Sequence, residues 1–350
     1  MEIGILSLSD IQSNDEMGLS VTASDRIQDA IDYGVLADRL GLDIFALGEH
    51  HSPDFAVSSP AVVLAAIAAR TEKIRLTSAV TVLPVLDPVR VYQDFATLDL
   101  ISGGRAELIA GRSAFVEPFA LFGESTDDYD ELFAEKLELL LQIRSEERVT
   151  WSGRFRPPLK GAQVIPRSIQ EPLPVWAGVG GSPGSAARAG ALGLPMTLGY
   201  IGGPLDSLRR AVDIYRQAGE DSGHSEALRV GISTHCFVAE SSAEAREVYP
   251  WYHEYLRPKT PGGRGFNVSR AAFEAGLGRR QALMIGSPEE VTEKILDVRD
   301  VLGIDRFFGQ IDWGGLPRDA VEASITRLAQ EVAPAIRTSP TYQTRKETIA

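Results

Sequence analysis

The sequence predicts an α/β chain folded as a (β/α)8 TIM barrel with insertions, and three observations carry that reading. Eight short apolar runs recur along the chain, at 3–8, 44–48, 74–82, 106–110, 175–179, 196–201, 230–238 and 307–311. Longer amphipathic segments separate them, the alternation expected of repeated strand–helix units. The runs read as continuous apolar stretches, as expected of parallel strands buried on both faces. A doubly wound sheet would share these signals, since periodicity does not count barrel closure.

The elements follow in order. The stretch "AIDYGVLADRLG" (30–41) spaces its apolar residues at helical intervals and ends in a glycine suited to a C-cap. In "SSPAVVLAAIAARTEK", Ser59 is placed as N-cap and Pro60 at the first helical position. The Ala-rich part of this helix, 60–70, is apolar enough to pack either between subunits or on the sheet. "GSPEEVTEKILDVRDVLG" repeats the device: Ser287, Pro288 and then Glu290 form a capping box. Two stretches rich in Gly and Pro, 145–172 and 257–282, break the rhythm and read as insertions of the kind that close active sites. A single domain over 1–337 with a polar tail at 338–350 is the expected organisation.

Composition bounds the function. With a formal net charge of −13 over 350 residues, the chain is ill suited to the phosphate backbone of nucleic acid. No apolar run approaches the roughly 20 residues that span a bilayer, and the N-terminus lacks a basic secretory n-region. Cys236 is the single cysteine, which excludes an internal disulfide and a cysteine-rich zinc site. The expected location is cytoplasmic, with neither membrane nor nucleic acid as partner.

In a barrel, function gathers on the loops at the carboxyl ends of the strands. Five successive strands bring polar or glycine residues there: Glu49-His50-His51, Ser78-Ala79, Gly111-Arg112-Ser113, Gly180 to Ser185, and Gly202-Gly203. Gly180 and Gly181 lead into a helix starting near Ser182-Pro183, whose free N–H groups suit a phosphate. Ser182 and Ser185 fall at its cap and third positions, although most Ser-Pro helix starts bind nothing. Arg112, one strand away, could clamp the same anion or pair with a nearby acid. For Glu49-His50-His51, a metal site wants a third ligand, and adjacent strand residues point in opposite directions. No metal is expected; one histidine facing the barrel mouth could act as general acid or base while the other packs. Phe55, Phe115, Tyr200 and Trp313 could line an apolar pocket or belong to the core.

Taken as a set, "GLDIFALGEHHSPDF", "TEKIRLTSAVTVLPVLDPVRVYQDFATLDLISGGRAELIAGRS", "PVWAGVGGSPGSAARAGALGLPMTLGYIGG" and "RFFGQIDWGGLP" resemble the bacterial luciferase-like flavin-dependent monooxygenases. The resemblance spans most of residues 1–330 and does not imply light emission. It implies FMN across the carboxyl rim, with Arg112, Ser182 and Ser185 on its phosphate. Gly111, Gly180 and Gly181 would give close backbone approach, and Ser113 would stand beside Arg112 on the same rim loop. Ser78-Ala79 matches the place of a non-proline cis peptide beneath the ring. His50 matches the imidazole that shapes flavin peroxide chemistry, with Glu49 orienting it or capping a turn. The chain departs from the pattern after "FG", where a further phosphate-binding arginine of some luciferases is matched by Asp130; Tyr129 beside it offers a hydroxyl instead. FMN would then be held weakly, suiting reduced FMN supplied by a separate reductase. The implied reaction uses reduced FMN and O2, through a flavin C4a-peroxide, to oxygenate a small organic substrate in a homodimeric enzyme. The alternatives are F420-dependent hydride transfer on the same scaffold, a flavin-binding protein without turnover, and a flavin-free barrel enzyme acting on a phosphorylated metabolite.

Overall fold

Eight parallel strands pair in chain order and close on themselves in the computed structural model, which describes residues 1–14, 18–113, 115–258 and 265–340. They are β1 (Glu2–Ser7), β2 (Ile44–Leu47), β3 (Arg75–Ser78), β4 (Ala106–Gly111), β5 (Val175–Val179), β6 (Met196–Gly199), β7 (Val230–Val238) and β8 (Arg306–Gln310). Gly4 pairs with both Phe308 and Ile44, and Trp176 with Ile109, so no strand is left as an edge and the open-sheet alternative falls. Two expected strands are shorter. The run 74–82 divides into β3 and a two-residue piece, Thr81–Val82, that pairs with the end of β4. β6 stops at Gly199, before the loop that carries Gly202-Gly203.

Helix boundaries follow local chemistry. The first helix runs Ala23–Leu40, a turn and more before the apolar spacing begins, because Thr22 and Asp25 form a capping box there. Gly41 ends it at φ 77°, the left-handed C-cap. In helix Pro288–Leu302 the Ser287–Glu290 box is made as expected. At helix Pro60–Ala68 it is not: Ser59 occupies the N-cap position, but its side chain makes no capping bond.

The core has two layers. Leu6, Ile44, Ala46, Ile109, Trp176 and Phe308 fill the barrel interior. A larger shell packs the outward strand residues, such as Ile3, Phe45 and Leu76, against the helices. The lower end of the barrel is closed by charge. Arg306 and Glu107, both 2% exposed, pair at 2.7 Å; Arg75 joins Glu107, and the Arg306 guanidinium lies 4.1 Å from the Trp176 ring centroid. Paired and hydrogen-bonded, such charges are tolerated in an interior that would reject either alone.

The two insertions do different work. The segment 145–172 connects a helix to a strand, so it is rooted at the lower end, where Gln170 Nε2 donates to Asp99 Oδ1 and Ala106 O, each at 2.7 Å. Its hairpin, Arg148–Trp151 with Leu159–Gln163, climbs helix Tyr129–Ser145 and places Phe155 against Val82, Val85, Phe119 and Leu132. It buttresses the rim from outside and contributes no residue to the cavity in the mouth. The second insertion begins directly after β7, well before 257, with helices Ser242–Glu247, Tyr249–Leu256 and Arg270–Gly276. It does sit on the carboxyl rim: Tyr252 OH is 3.1 Å from His235 Nδ1 of β7, and Gln310 Nε2 of β8 donates to Tyr255 OH at 3.0 Å. Residues 259–264 of this segment, and 341–350 of the expected tail, lie outside the described residues; Thr338 closes a last helix, Ala333–Thr338.

Candidate active site

A cavity of about 380 Å3 opens at the carboxyl end of the barrel. Leu6, Ile109 and Phe308 form its apolar floor, and Arg112, Tyr129 and Gly180 lie toward one end. Val80 forms part of the wall and explains two glycines. A Cβ on Gly111 would come within 2.4 Å of the Val80 side chain, and one on Gly178 within 2.9 Å. Those glycines make room for Val80. At Gly180 and Gly181 a Cβ would meet nothing within 4 Å, so the backbone there borders open space; Gly181 also has φ 90°, which favours glycine.

The peptide between Ala79 and Val80 is cis, one residue later than the expected Ser78-Ala79. Ala79 lines the cavity, whereas Ser78 is fully buried and belongs to the barrel wall. Its Oγ accepts from Thr81 Oγ1 at 2.8 Å and from Ile109 N at 3.3 Å, tying β3 to β4.

At the polar end the structure brings together the residues expected around an anion. Arg112 reaches from the end of β4 to helix Pro183–Ala191, where Nη2 donates to Ser185 Oγ at 2.7 Å. Its Nη1 is paired with the carboxylate of Asp130, and its guanidinium carbon lies 5.0 Å from the Tyr129 ring centroid. Ser182 is the N-cap of that helix and its hydroxyl makes no capping bond. The helix start therefore keeps free N–H groups beside a guanidinium, the electrostatics of an oxyanion clamp. Ser113 has φ 59° and bonds locally, its Oγ accepting from Phe115 N at 2.9 Å. Tyr129 OH donates to Ser113 O at 2.8 Å, and burial raises the phenol above its ordinary range, so it stays neutral. Gly181, Ser182 and Ser185 stand beside the cavity rather than in its lining.

Glu49, His50 and His51 divide unexpectedly. Glu49 is buried; its Oε1 is 2.9 Å from His51 Nε2, and its Oε2 accepts from Val82 N at 3.1 Å. It therefore positions His51 and the segment after the cis peptide, and makes no hydrogen bond to His50. The His50 ring stacks on Phe55 at 3.9 Å and meets Phe115 edge-on at 5.3 Å. Its Nδ1 is buried without a partner, and burial, with His51 adding to it, lowers the imidazole to about 4, so His50 is neutral near pH 7. Phe55 and Phe115 thus pack around the histidine. Tyr200 and Trp313 are core residues, bonded through Tyr200 OH to Gly203 O and through Trp313 Nε1 to Gln310 O.

Sequence reasoning missed three groups. His235 is fully enclosed and lowered to about 4 by burial, on the same strand face as the cavity residue Ser233. A two-residue period within "ISTHCF" carried that signal. The buried Arg26–Asp312 pair, at 2.8 Å, fastens the first helix to the loop after β8. The Arg188 guanidinium lies 5.8 Å from the Phe133 ring centroid, and that of Arg112 5.9 Å from the same ring; Arg188 Nη1 is buried and unpartnered. Among the described residues no group of three or more His, Cys, Asp or Glu could hold a metal ion, and no helix is long and apolar enough to cross a membrane.

A (β/α)8 barrel with an apolar mouth and a guanidinium beside a helix start at one end of it is the class this fold and site define. Residues 1–306 match the sequence model of the luciferase-like monooxygenases, and the chain belongs to that family. It is similar to the N-acetyl-S-alkylcysteine monooxygenase of Bacillus subtilis, 29% identical over 83% of this chain and 88% of that protein. It is 22% identical, over 87% and 88% of the two chains, to the oxygenase component of the flavin-dependent trigonelline monooxygenase of Acinetobacter baylyi. An F420-dependent glucose-6-phosphate dehydrogenase of Kineococcus radiotolerans is 34% identical over 46% of this chain and 49% of its own. Among solved structures, monooxygenase RslO1 of Streptomyces bottropensis superposes with a TM-score of 0.82 at 24% identity, over 95% and 99% of the chains. These relatives thus include monooxygenases, one of them the oxygenase component of a flavin-dependent enzyme, and an F420-dependent dehydrogenase.

Proposed function

We propose that this protein is the oxygenating component of a two-component monooxygenase, taking reduced FMN from a separate reductase and using O2 to oxygenate a small organic substrate. The observation that carries this is the Arg112–Ser185 contact at the start of helix Pro183–Ala191, set at one end of an apolar cavity. The donor set fits FMN: a guanidinium, a hydroxyl and free helix N–H groups for the phosphate, and a floor of Leu6, Ile109 and Phe308 beneath a planar ring. Reduced FMN, when bound, supplies the electrons that activate O2.

The chain's own residues do the rest. Arg112, Ser182 and Ser185 hold the phosphate, and the uncluttered backbone at Gly180 and Gly181 lets it approach. Ala79 and Val80, with Gly111, line the cavity and would shape its wall for a bound ring. The Tyr129 ring braces the Arg112 guanidinium, and its hydroxyl is held by Ser113 O. His50, neutral and packed between Phe55 and Phe115 beside the cavity rather than in its lining, is the acid–base group of this reading. Glu49 is a positioning residue that acts through His51 and Val82. The second insertion is tied to β7 and β8 through Tyr252 and Tyr255 and, like the first, contributes no residue to the cavity lining.

F420-dependent hydride transfer is the second reading, favoured by the half-chain match to an F420-dependent dehydrogenase. Anaerobic titration of the protein with reduced FMN, oxidised FMN and F420, followed by oxygen uptake, separates the two. Tight F420 binding without FMN-dependent oxygen uptake would overturn the monooxygenase reading. We also propose a homodimer through the exposed Val62 of helix Pro60–Ala68, and Leu100 and Ile101 at the end of helix Pro88–Ser102, an apolar patch extended by Ile165.

A further inference from the structure

We infer that Asp130 is a built-in competitor for the phosphate clamp, and that it sets how loosely this protein holds its phosphorylated cofactor. This rests on the reading of Arg112 and Ser185 as a phosphate site. Asp130 is in the first turn of helix Tyr129–Ser145 with a side chain 70% exposed, and its one hydrogen bond among the described residues is to Arg112 Nη1. Arg112 Nη2 donates to Ser185 on the opposite helix. The guanidinium thus already carries an anion belonging to the chain.

An arriving phosphate meets one of two situations. It can displace the carboxylate, losing the Arg112–Asp130 pair, or it can bind with that carboxylate still beside it, adding like-charge repulsion to a dianion. Both weaken binding relative to a chain with a neutral residue at 130, and both act on the phosphate alone. The isoalloxazine end, over Leu6 and Phe308, does not feel the difference at short range, and an exposed charge is screened beyond about 8–10 Å at moderate salt. Asp130 therefore acts as a positioning and specificity residue whose effect depends on Arg112. It favours a cofactor that arrives, reacts and leaves over one that stays resident.

The test measures equilibrium binding of FMN, riboflavin and inorganic phosphate to the full chain and to D130N, R112A and the double variant. Because the side chain at 130 is exposed, D130N should fold, and far-ultraviolet circular dichroism checks that it does. D130N should tighten FMN and inorganic phosphate by about threefold to tenfold, leave riboflavin unchanged, and slow FMN release in stopped flow. The gain should shrink as ionic strength rises and vanish in the R112A background. D130N binding FMN no more tightly than the parent, while R112A still weakens FMN selectively, would overturn the role of Asp130 and leave the phosphate site standing. FMN and riboflavin binding alike to the parent, with R112A altering neither, would overturn the phosphate site itself. R39A, exposed in the last turn of helix Ala23–Leu40 at the end of the barrel opposite the carboxyl rim, serves as the control for loss of a single positive charge.

Discussion

Glu49 is bonded to His51 and has no hydrogen bond to His50. One carboxylate oxygen is 2.9 Å from His51 Nε2 and the other accepts from the amide of Val82. Removing the carboxylate leaves a buried amide and an imidazole without partners, at about 1–3 kcal/mol per group. Glu49→Ala should lower the urea midpoint clearly, and His51→Ala should lower it less, since Val82 keeps its acceptor. Equal effects of both substitutions would refute the assignment of Val82 to Glu49.

His50 should be separable from cofactor binding. His50→Asn should retain FMN affinity while product formation with reduced FMN and O2 falls by about 10²-fold or more, the usual scale for an acid–base group. A variant that binds FMN and oxygenates as fast as the parent ends the role proposed for this histidine.

The same residue makes a prediction about pH. Burial lowers His50 from the usual 6.5 to about 4, so between those values the unfolded chain binds its proton and the folded chain does not. Stability due to neutral His50 is therefore present above pH 6.5 and is lost as pH falls toward 4. Asp312, raised by burial to about 7, has the opposite sign in an overlapping window. The informative quantity is the difference between parent and His50→Asn. The parent should lose more denaturant stability than the variant between pH 7 and pH 5, and a parent that loses no more would contradict the buried neutral state.

Arg112→Ala should weaken FMN by roughly 10- to 100-fold, the range for a charge-assisted hydrogen bond, and leave riboflavin unchanged. Fluorescence titration of both ligands reads the difference directly.

Val80 and Gly111 should be coupled. Gly111→Ala puts a methyl group within 2.4 Å of the Val80 side chain and should cost about 1–3 kcal/mol in urea denaturation. Val80→Ala in the same chain should recover part of that loss, giving a nonzero interaction energy in a double-mutant cycle. Additive effects would mean that Val80 is not what the glycine accommodates.

Much of this molecule was legible in the sequence, and the legible parts share a cause. Strand runs, the Ser287–Glu290 capping box and the glycine stop at Gly41 are written over a few adjacent residues, where backbone sterics and local hydrogen bonds decide the outcome. The rim order of Glu49, Ser78, Arg112 and Ser182 follows once those strands are known to be parallel, because every loop after a parallel strand emerges on the same side. What the tertiary structure alone decided is which partner each polar group finds. Ser78 lies at the rim position expected of it, yet its hydroxyl turns into the wall toward Thr81 and Ile109. The 145–172 segment has a lid-like composition but enters from the lower end, so its tip can only brace the rim. Arg306 and Glu107 are 199 residues apart and meet only because the barrel closes; the sequence shows a glutamate inside one run and an arginine beside another, but not that they pair. Hydrogen bonds and ion pairs are satisfied by proximity in space, and proximity across a closed barrel is fixed by register and closure, which no local pattern encodes.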